Sequence, residues 1–279
     1  MTVRRRPPAW IVLLAGLGLV VLVVPVAALV WRTPWSRFLG LLGSDAVLVP
    51  LRVSLVTSSA ATVAALVLGV PMAWVLARAG LPRPDLWRIP VLLPVVMPPV
   101  VAGVALLAAF GRSGLLGGLL DRWFGIVLPF STAGAVLAQT VVALPFVVLP
   151  VEAALVRAGE GAEDAAAVLG AGRWRVLREV GLPSVAPAVA AGALLAWARA
   201  IGEFGATVTF AGSLPGRTQT LPSAIYTALE ADQDAALVLS MVLVLLALAV
   251  LIGLRGRWWP SMSVRPPQVR SAPRGRSTT

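Results

Sequence analysis

Two sets of residues in this sequence combine type and spacing in a way that chemistry can use. Arg199 and Glu203 stand four apart inside an apolar segment, a spacing that sets them side by side on a helix. Charge within hydrocarbon is costly, and such residues face a bundle interior or an aqueous cavity. Two readings are open. The pair is a salt bridge that fixes the helix and meets no substrate, or Arg199 lowers the barrier for a passing anion while Glu203, Gly202 and Gly205 shape a gate. The second set is the stretch 163–183, EDAAAVLGAGRWRVLREVGLP, where Glu163, Asp164, Arg173, Arg175, Arg178 and Glu179 interrupt two long apolar segments. It faces water in a chain that otherwise avoids it, so a soluble partner is expected to dock there.

What the chain lacks narrows the chemistry further. Its 23 basic residues are all arginine, and there is no Lys, His or Cys. Without Lys there is no phosphate-binding P-loop. Without His or Cys there is no Cys/His zinc site, no disulfide and no Ser-His or Cys-His nucleophile. No catalytic residue, metal ligand or cofactor is expected, and ATP hydrolysis, if it drives this protein, belongs to another polypeptide. An intramembrane Ser or Asp enzyme lacks a base and a second opposed carboxylate.

The elements that must position these residues are membrane spans. At 58% hydrophobic and 13% charged residues over 279 positions, the chain is far more apolar than a soluble domain, of which about 25% is charged. An all-α polytopic protein with six transmembrane helices is expected, with spans near 9–30, 47–77, 89–110, 133–155, 184–210 and 235–254. The first is longer than a signal-peptide core of roughly 7 to 15 residues. The second is rich in small and hydroxyl residues, which allow close helix packing in lipid. In the third, Pro90, Pro94, Pro98 and Pro99 predict kinked or unwound backbone. Residues 1–8 and a disordered tail at 255–279, both expected in the cytoplasm, flank this 9–254 transmembrane region, which includes the loop 156–183.

Arginine placement orients the spans. Arg4, Arg5, Arg6, Arg78, Arg83, Arg88, Arg157, Arg173, Arg175, Arg178 and the tail arginines fall on one side, against Arg32, Arg37, Arg112, Arg122 and Arg217 on the other. The positive-inside rule puts both termini and the 163–183 stretch in the cytoplasm. The basic residues punctuate apolar runs and form no patch on a soluble domain, which argues for membrane lipid and against nucleic acid.

Within the stretch, Glu163, Ala166, Ala167 and Gly170 recur at spacings of three and four and share one nearly bare helical face. Gly170-Ala171-Gly172 is then expected to turn the chain into a short helix over 173–180, which Pro183 ends. An amphipathic linker lying on the membrane also suits Trp174 and the arginines. By helical angle, Gly192, Ala196, Arg199, Glu203, Ala206 and Thr207 share one small, polar face of the fifth span, assigned to a dimer centre. Leu194, Trp197, Ile201, Phe204 and Val208 share the other. Counting about 1.5 Å per residue from Ser184 puts Glu203 about 28 Å along the axis, towards the outer face.

These residues resemble a known family. Glu163, Ala165, Ala166 and Gly170, followed by Val180, Leu182 and Pro183, are similar to the EAA signature of permease subunits of binding-protein-dependent ABC importers. The acid stands one position early, with Asp164 at the usual place, and Val180 replaces the usual Ile. LGAGRWRV at 169–176, ARAIGEFGAT at 198–207 and PGRTQTLPSAIY at 215–226 resemble the molybdate branch, and sulfate permeases share the Gly-Glu-Phe/Tyr-Gly element. The resemblance implies a type I ABC importer permease fold in the cell membrane. It implies an ATP-binding ABC subunit docked on Glu163, Asp164, Ala165, Ala166, Gly170, Arg173, Trp174, Leu182 and Pro183. It implies as further partners a second copy of the chain, forming a homodimer, and an extracytoplasmic oxyanion-binding protein. Molybdate is the expected cargo, with sulfate, thiosulfate or tungstate as alternatives; a proton-coupled secondary transporter using Arg199 and Glu203 is the rival from another class.

Overall fold

A computed structural model describes residues 8–258, with side chains to 253, and among the described residues every regular element is a helix. Five helical segments are long and apolar enough to cross a membrane, six if one bent pair counts as a span. α1 (Ala9–Arg32) stands apart with no buried residue. The short α2 (Trp35–Leu42) leads into α3 (Asp45–Arg78), 34 residues long. The bent pair is α4 (Pro84–Val96) and α5 (Pro99–Phe110), followed by the short α6 (Gly117–Phe124). α7 (Thr132–Ala143) and α8 (Pro145–Ala158) run on as one segment of 27 residues.

Proline chemistry explains where the third apolar segment breaks. Pro90 and Pro94 stay inside α4, while the axis turns by 117° between α4 and α5. Met97 and Pro98 at the turn both have extended backbone, ψ 131° and 134°. Each precedes a proline, whose ring disfavours helical geometry in the residue before it. The prolines within α4 each lose one hydrogen bond, but only the Pro98-Pro99 pair forces two successive residues out of the helix.

The core is a bundle of α3, α7, α8 and α11 (Leu182–Ile201). Ala61, Ala65, Ala143, Val147, Val148, Val151, Leu155, Ala196 and Ala200 fill it. Lipid tails give helices no hydrophobic incentive to associate, so close backbone approach must supply the contact. Glycine makes that approach possible: a Cβ at Gly69 would lie 3.0 Å from Val147, and one at Gly192 would lie 3.1 Å from the Phe146 carbonyl. A second cluster joins α5 and α7 to α12 (Gly205–Ala211) through Ala102, Leu106, Ala138, Val142, Ala206 and Phe210. A third joins α3 to α13 (Leu221–Ala231) and α14 (Gln233–Trp258). The expected tail begins inside α14, and its part beyond Trp258 lies outside the described residues, as do residues 1–7.

Candidate functional site: a polar loop and a broken helix joined by α11

The stretch 163–183 folds as α9 (Gly161–Val168), a turn, α10 (Arg173–Val176) and a π-helical segment Leu177–Gly181 that continues into α11. Gly170 is not on the helical face. It follows the α9 C-cap, Leu169, with φ +87°. The N–H of Gly170 donates to the Ala167 carbonyl at 2.9 Å, and that of Ala171 donates to the Ala166 carbonyl at 3.0 Å. These two bonds define a Schellman stop, which requires a left-handed residue and hence favours glycine. A Cβ at Gly170 would meet nothing within 4 Å, so conformation, not crowding within this chain, explains the glycine.

Pro183 does not end the second helix, contrary to the sequence expectation. The N–H of Leu182 reaches back five residues to the Leu177 carbonyl, and Pro183 falls in the first turn of α11. A proline there has no N–H to give to the preceding turn, and the wider π turn carries the helix through it. The loop and α11 therefore share one continuous backbone rod from Arg173 to Ile201.

A set of contacts that the sequence did not disclose fastens this rod to α3. Arg78 Nη2 donates to Glu163 Oε1 at 3.1 Å, to the Gly159 carbonyl at 2.7 Å and to the Leu155 carbonyl at 3.0 Å. The Arg78 guanidinium lies 6.0 Å from the Trp74 ring centroid. The edge of that indole occupies the place where a Cβ of Gly181 would go. Arg78 thus satisfies carbonyls at the end of α8 and holds α9, while Trp74 seats the π segment. Glu163 is turned inward by this pairing. Asp164, Ala165, Arg173 and Trp174 are exposed, Ala166 is half-buried, and Leu182 and Pro183 lie at the start of α11. Val168 and Leu169, each 88% exposed, stand with Trp174, 70% exposed, as an apolar patch around the α9–α10 turn.

At its other end α11 stops at Ile201, and the fifth span is not the single helix 184–210 that the helical-angle reading assumed. Gly202, Glu203 and Phe204 interrupt it before α12. The interruption is internally satisfied. Arg199 Nη1 pairs with Glu203 Oε2 at 2.5 Å, and Glu203 Oε1 accepts from the Ala206 N–H at 2.8 Å. A carboxylate at this point caps α12 and meets the positive end of its dipole. Glu203 is 1% exposed, so the bond to Ala206 is buried, while Arg199 reaches it from a half-buried position.

The small, polar face assigned to a dimer centre lies instead within one protomer. Gly192, Ala196, Glu203, Ala206 and Thr207 are buried, and so is Ile201 from the opposite face. Gly205 is small because α5 crosses there: its Cβ would come within 2.7 Å of Pro99 Cβ. Gly103 on α5 reciprocates, with Thr209 Cβ 2.5 Å from where its own Cβ would stand. Gly205 is thus a packing residue, and Gly202 alone of the two glycines is exposed. Gln139 on α7 and Thr207 on α12 have buried polar atoms with no hydrogen-bond partner among the described residues. Gln139 escaped the sequence reading because one amide in an apolar run carries no spacing signal. Among the described residues no group of three metal-ligating side chains converges.

Comparison with known proteins adds three findings. The family described as "Binding-protein-dependent transport system inner membrane component" matches residues 65–258. The molybdenum transport system permease protein ModB of Mycobacterium bovis is 46% identical over 250 residues, covering 90% of this chain and 94% of that protein. ModB of Escherichia coli K12 is 41% identical over 210 residues, covering 75% and 92%. A solved structure, a bacterial ABC transporter involved in the import of the acidic polysaccharide alginate, superposes with TM-score 0.64 at 17% identity. That superposition covers 91% of this chain and 96% of the other.

Proposed function

The chain belongs to the family of binding-protein-dependent transport system inner membrane components, and from that premise we propose that it is the permease subunit of an ATP-driven molybdate importer. It is a multi-pass membrane protein; in this reading it sits in the inner membrane with both termini in the cytoplasm, as a homodimer. An extracytoplasmic binding protein delivers the oxyanion, and a separate ATP-binding subunit supplies the energy.

The observation that carries the reading is the architecture around α11. Its inner end is a polar loop with an exposed patch of Val168, Leu169 and Trp174, apolar side chains that nothing covers among the described residues. A helix stop at Gly170 shapes that patch. The ATP-binding subunit receives it together with Asp164, Ala165, Ala166 and Arg173. Glu163, Leu182 and Pro183 tie the patch to the spans. Closure of the ATPase pair displaces α9, and the rod from Arg173 to Ile201 passes the displacement to the interruption at 202–204. There Arg199, Gly202, Glu203, Gly205 and Thr207 form the outer gate. Gly202 gives it freedom, the Arg199–Glu203 pair latches it, and Gly205 is the point on which α12 bears against α5. A weak permease site suits this design, because an ion held tightly does not leave. Selectivity then rests on the binding protein.

The test is reconstitution in proteoliposomes. The permease with its ATP-binding subunit and binding protein should take up radiolabelled molybdate only when ATP is inside the compartment that holds the ATPase, with excess sulfate a poor competitor. Uptake by the permease alone under a proton gradient would assign it to secondary transport instead.

A further inference from the structure

Three of the arginines towards the outer face that no carboxylate neutralises line adjoining cavities. Arg52 lies about two turns into α3 from its outer end, Arg112 follows α5, and Arg217 sits in the loop between α12 and α13. None of them belongs to an ion pair among the described residues, which include every Asp and Glu of the chain. Arg217 lines two cavities at once. One, of about 550 Å³, brings it together with Arg112, Pro129, Phe130 and Ser131. The other, of about 420 Å³, brings it together with Arg52, Thr57 and Thr132. No acidic residue lines either cavity. Of the outer arginines, Arg37 by contrast is already engaged by Asp234 at 3.2 Å.

The surroundings fix the backbone and leave only the guanidiniums to offer. Thr132 Oγ1 donates to the Arg217 carbonyl at 3.0 Å, and the N–H groups of Arg217, Thr218 and Gln219 all donate to the Leu214 carbonyl. Gly216 turns this loop with φ +71°. The nearby hydroxyls are spent internally: Thr57 donates to the Val53 carbonyl at 2.9 Å and Ser131 donates to the Leu128 carbonyl at 2.6 Å. An arrangement of forked cations on a fixed loop, with no competing acid, matches a compact oxyanion that accepts paired N–H bonds. Clefts lined by one sign of charge also raise the local concentration of the opposite ion.

We propose that Arg52, Arg112 and Arg217 form an external receiving site for a tetrahedral dianion, with Arg217 shared between its two halves. The site lies outside the interruption at 202–204 and takes the ion as the binding protein releases it. The inference rests on the oxyanion-importer reading and adds to it where the ion first touches the permease. Exposed guanidiniums bind weakly, which favours onward passage. The same chemistry recognises the phosphate of an anionic lipid headgroup, and the experiment separates the two sources.

The complete importer, with ATP-binding subunit and binding protein, is reconstituted in phosphatidylcholine liposomes and in liposomes containing phosphatidylglycerol. Uptake of radiolabelled molybdate is measured for wild type, the double variant Arg52→Gln/Arg217→Gln, and Arg52→Lys/Arg217→Lys. The glutamine variant should lose about tenfold or more of its uptake at low salt in both lipids, a gap that narrows at high salt as the screening length shortens. Stimulation of ATP hydrolysis by loaded binding protein should stay within about twofold, and the lysine variant, which keeps the charge without the fork, should recover only part of the uptake. Unchanged uptake overturns the site. A parallel loss of ATPase stimulation overturns it in favour of a docking surface for the binding protein, and a defect confined to phosphatidylglycerol overturns it in favour of lipid. Absence of molybdate uptake by wild type removes the importer reading and this inference together, and is seen in the control before any variant is scored.

Discussion

The two ends of α11 are built on opposite principles. At the inner end, the chain passes from the polar loop into the span without a break, because a π turn absorbs Pro183. That end is fastened from outside by Arg78 and Trp74 of α3. At the outer end, the helix is broken over three residues and fastened from inside, by Glu203 holding both Arg199 and the Ala206 N–H. The inner end is exposed and continuous, and the outer end is buried and interrupted. In the proposed function, a rod that is stiff where it is pushed and jointed where it must give would convert a displacement at the membrane surface into a change of angle deep in the bundle. Two glutamates serve this division, one reaching across 85 positions of sequence and the other reaching four.

The joint offers the severest way to break that contrast. Glu203→Ala removes the latch and the cap together and leaves the half-buried Arg199 without its counter-charge. Uptake in proteoliposomes should fall about a hundredfold or more. Glu203→Gln keeps an oxygen for the Ala206 N–H and loses only the ion pair, so its loss should be nearer tenfold. Thermal unfolding in detergent separates a gating defect from a folding one. Equal uptake by the two variants would make the cap, and not the charge, irrelevant to the joint. Wild-type uptake by an Arg199→Met/Glu203→Met double variant would reduce the pair to a static brace.

The fastening at the inner end is the next largest target. Arg78→Gln abolishes the pairing with Glu163 and the stacking on Trp74, while α9 keeps its own helix stop. The expected result is a loss of about fivefold to tenfold in uptake, with ATP hydrolysis by the assembled complex retained. Hydrolysis without transport is the signature of a loop that still meets its partner but no longer moves the span. Charge exchange, Arg78→Glu with Glu163→Arg, should recover part of the loss only if the pair itself matters more than the two carbonyls that Arg78 also holds. An Arg78→Gln variant with full coupling would place the transmission wholly in the π turn.

What the sequence disclosed and what it hid divides along the same line. The apolar runs marked the helices, because hydrocarbon admits no other unpaired backbone, and the arginine distribution suggested an orientation. The EAA-like pattern located the loop. Spacing could also pair Arg199 with Glu203, since an i,i+4 contact is local. The break beside them stayed hidden, because Gly202 and Gly205 read equally well as small residues on one helical face. Only the crossing of α5 at Pro99 distinguishes them. Arg78, Trp74 and Gly181 were beyond reach for the same reason: their meeting depends on how α3 lies against the π segment, and no periodicity within either element encodes it. The assignment of the polar face to a dimer centre failed because small residues in a membrane serve helix packing as readily as a pathway.

The exposed turn at the inner end gives the smallest and most discriminating effect. Trp174 is exposed, and its indole can insert into a partner's groove or rest among lipid headgroups, a position aromatic side chains also favour. The two placements differ in what Trp174→Ala should change. If the turn docks on the ATP-binding subunit, removing a large exposed aromatic anchor should weaken association of detergent-solubilised permease and ATPase about threefold to tenfold, with permease unfolding temperature unaltered. Uptake should fall by less, because Val168 and Leu169 remain in the patch. If the turn lies on the membrane, association in detergent should be unaffected, and the variant should instead differ from wild type only after reconstitution. Trp174→Phe supplies the control: it keeps an apolar ring and should recover most of the affinity. The exposed end of α11 then differs from its buried end in a second respect. Weakened association would mean that its side chains act by meeting another polypeptide, whereas both contacts of Glu203 lie within its own chain.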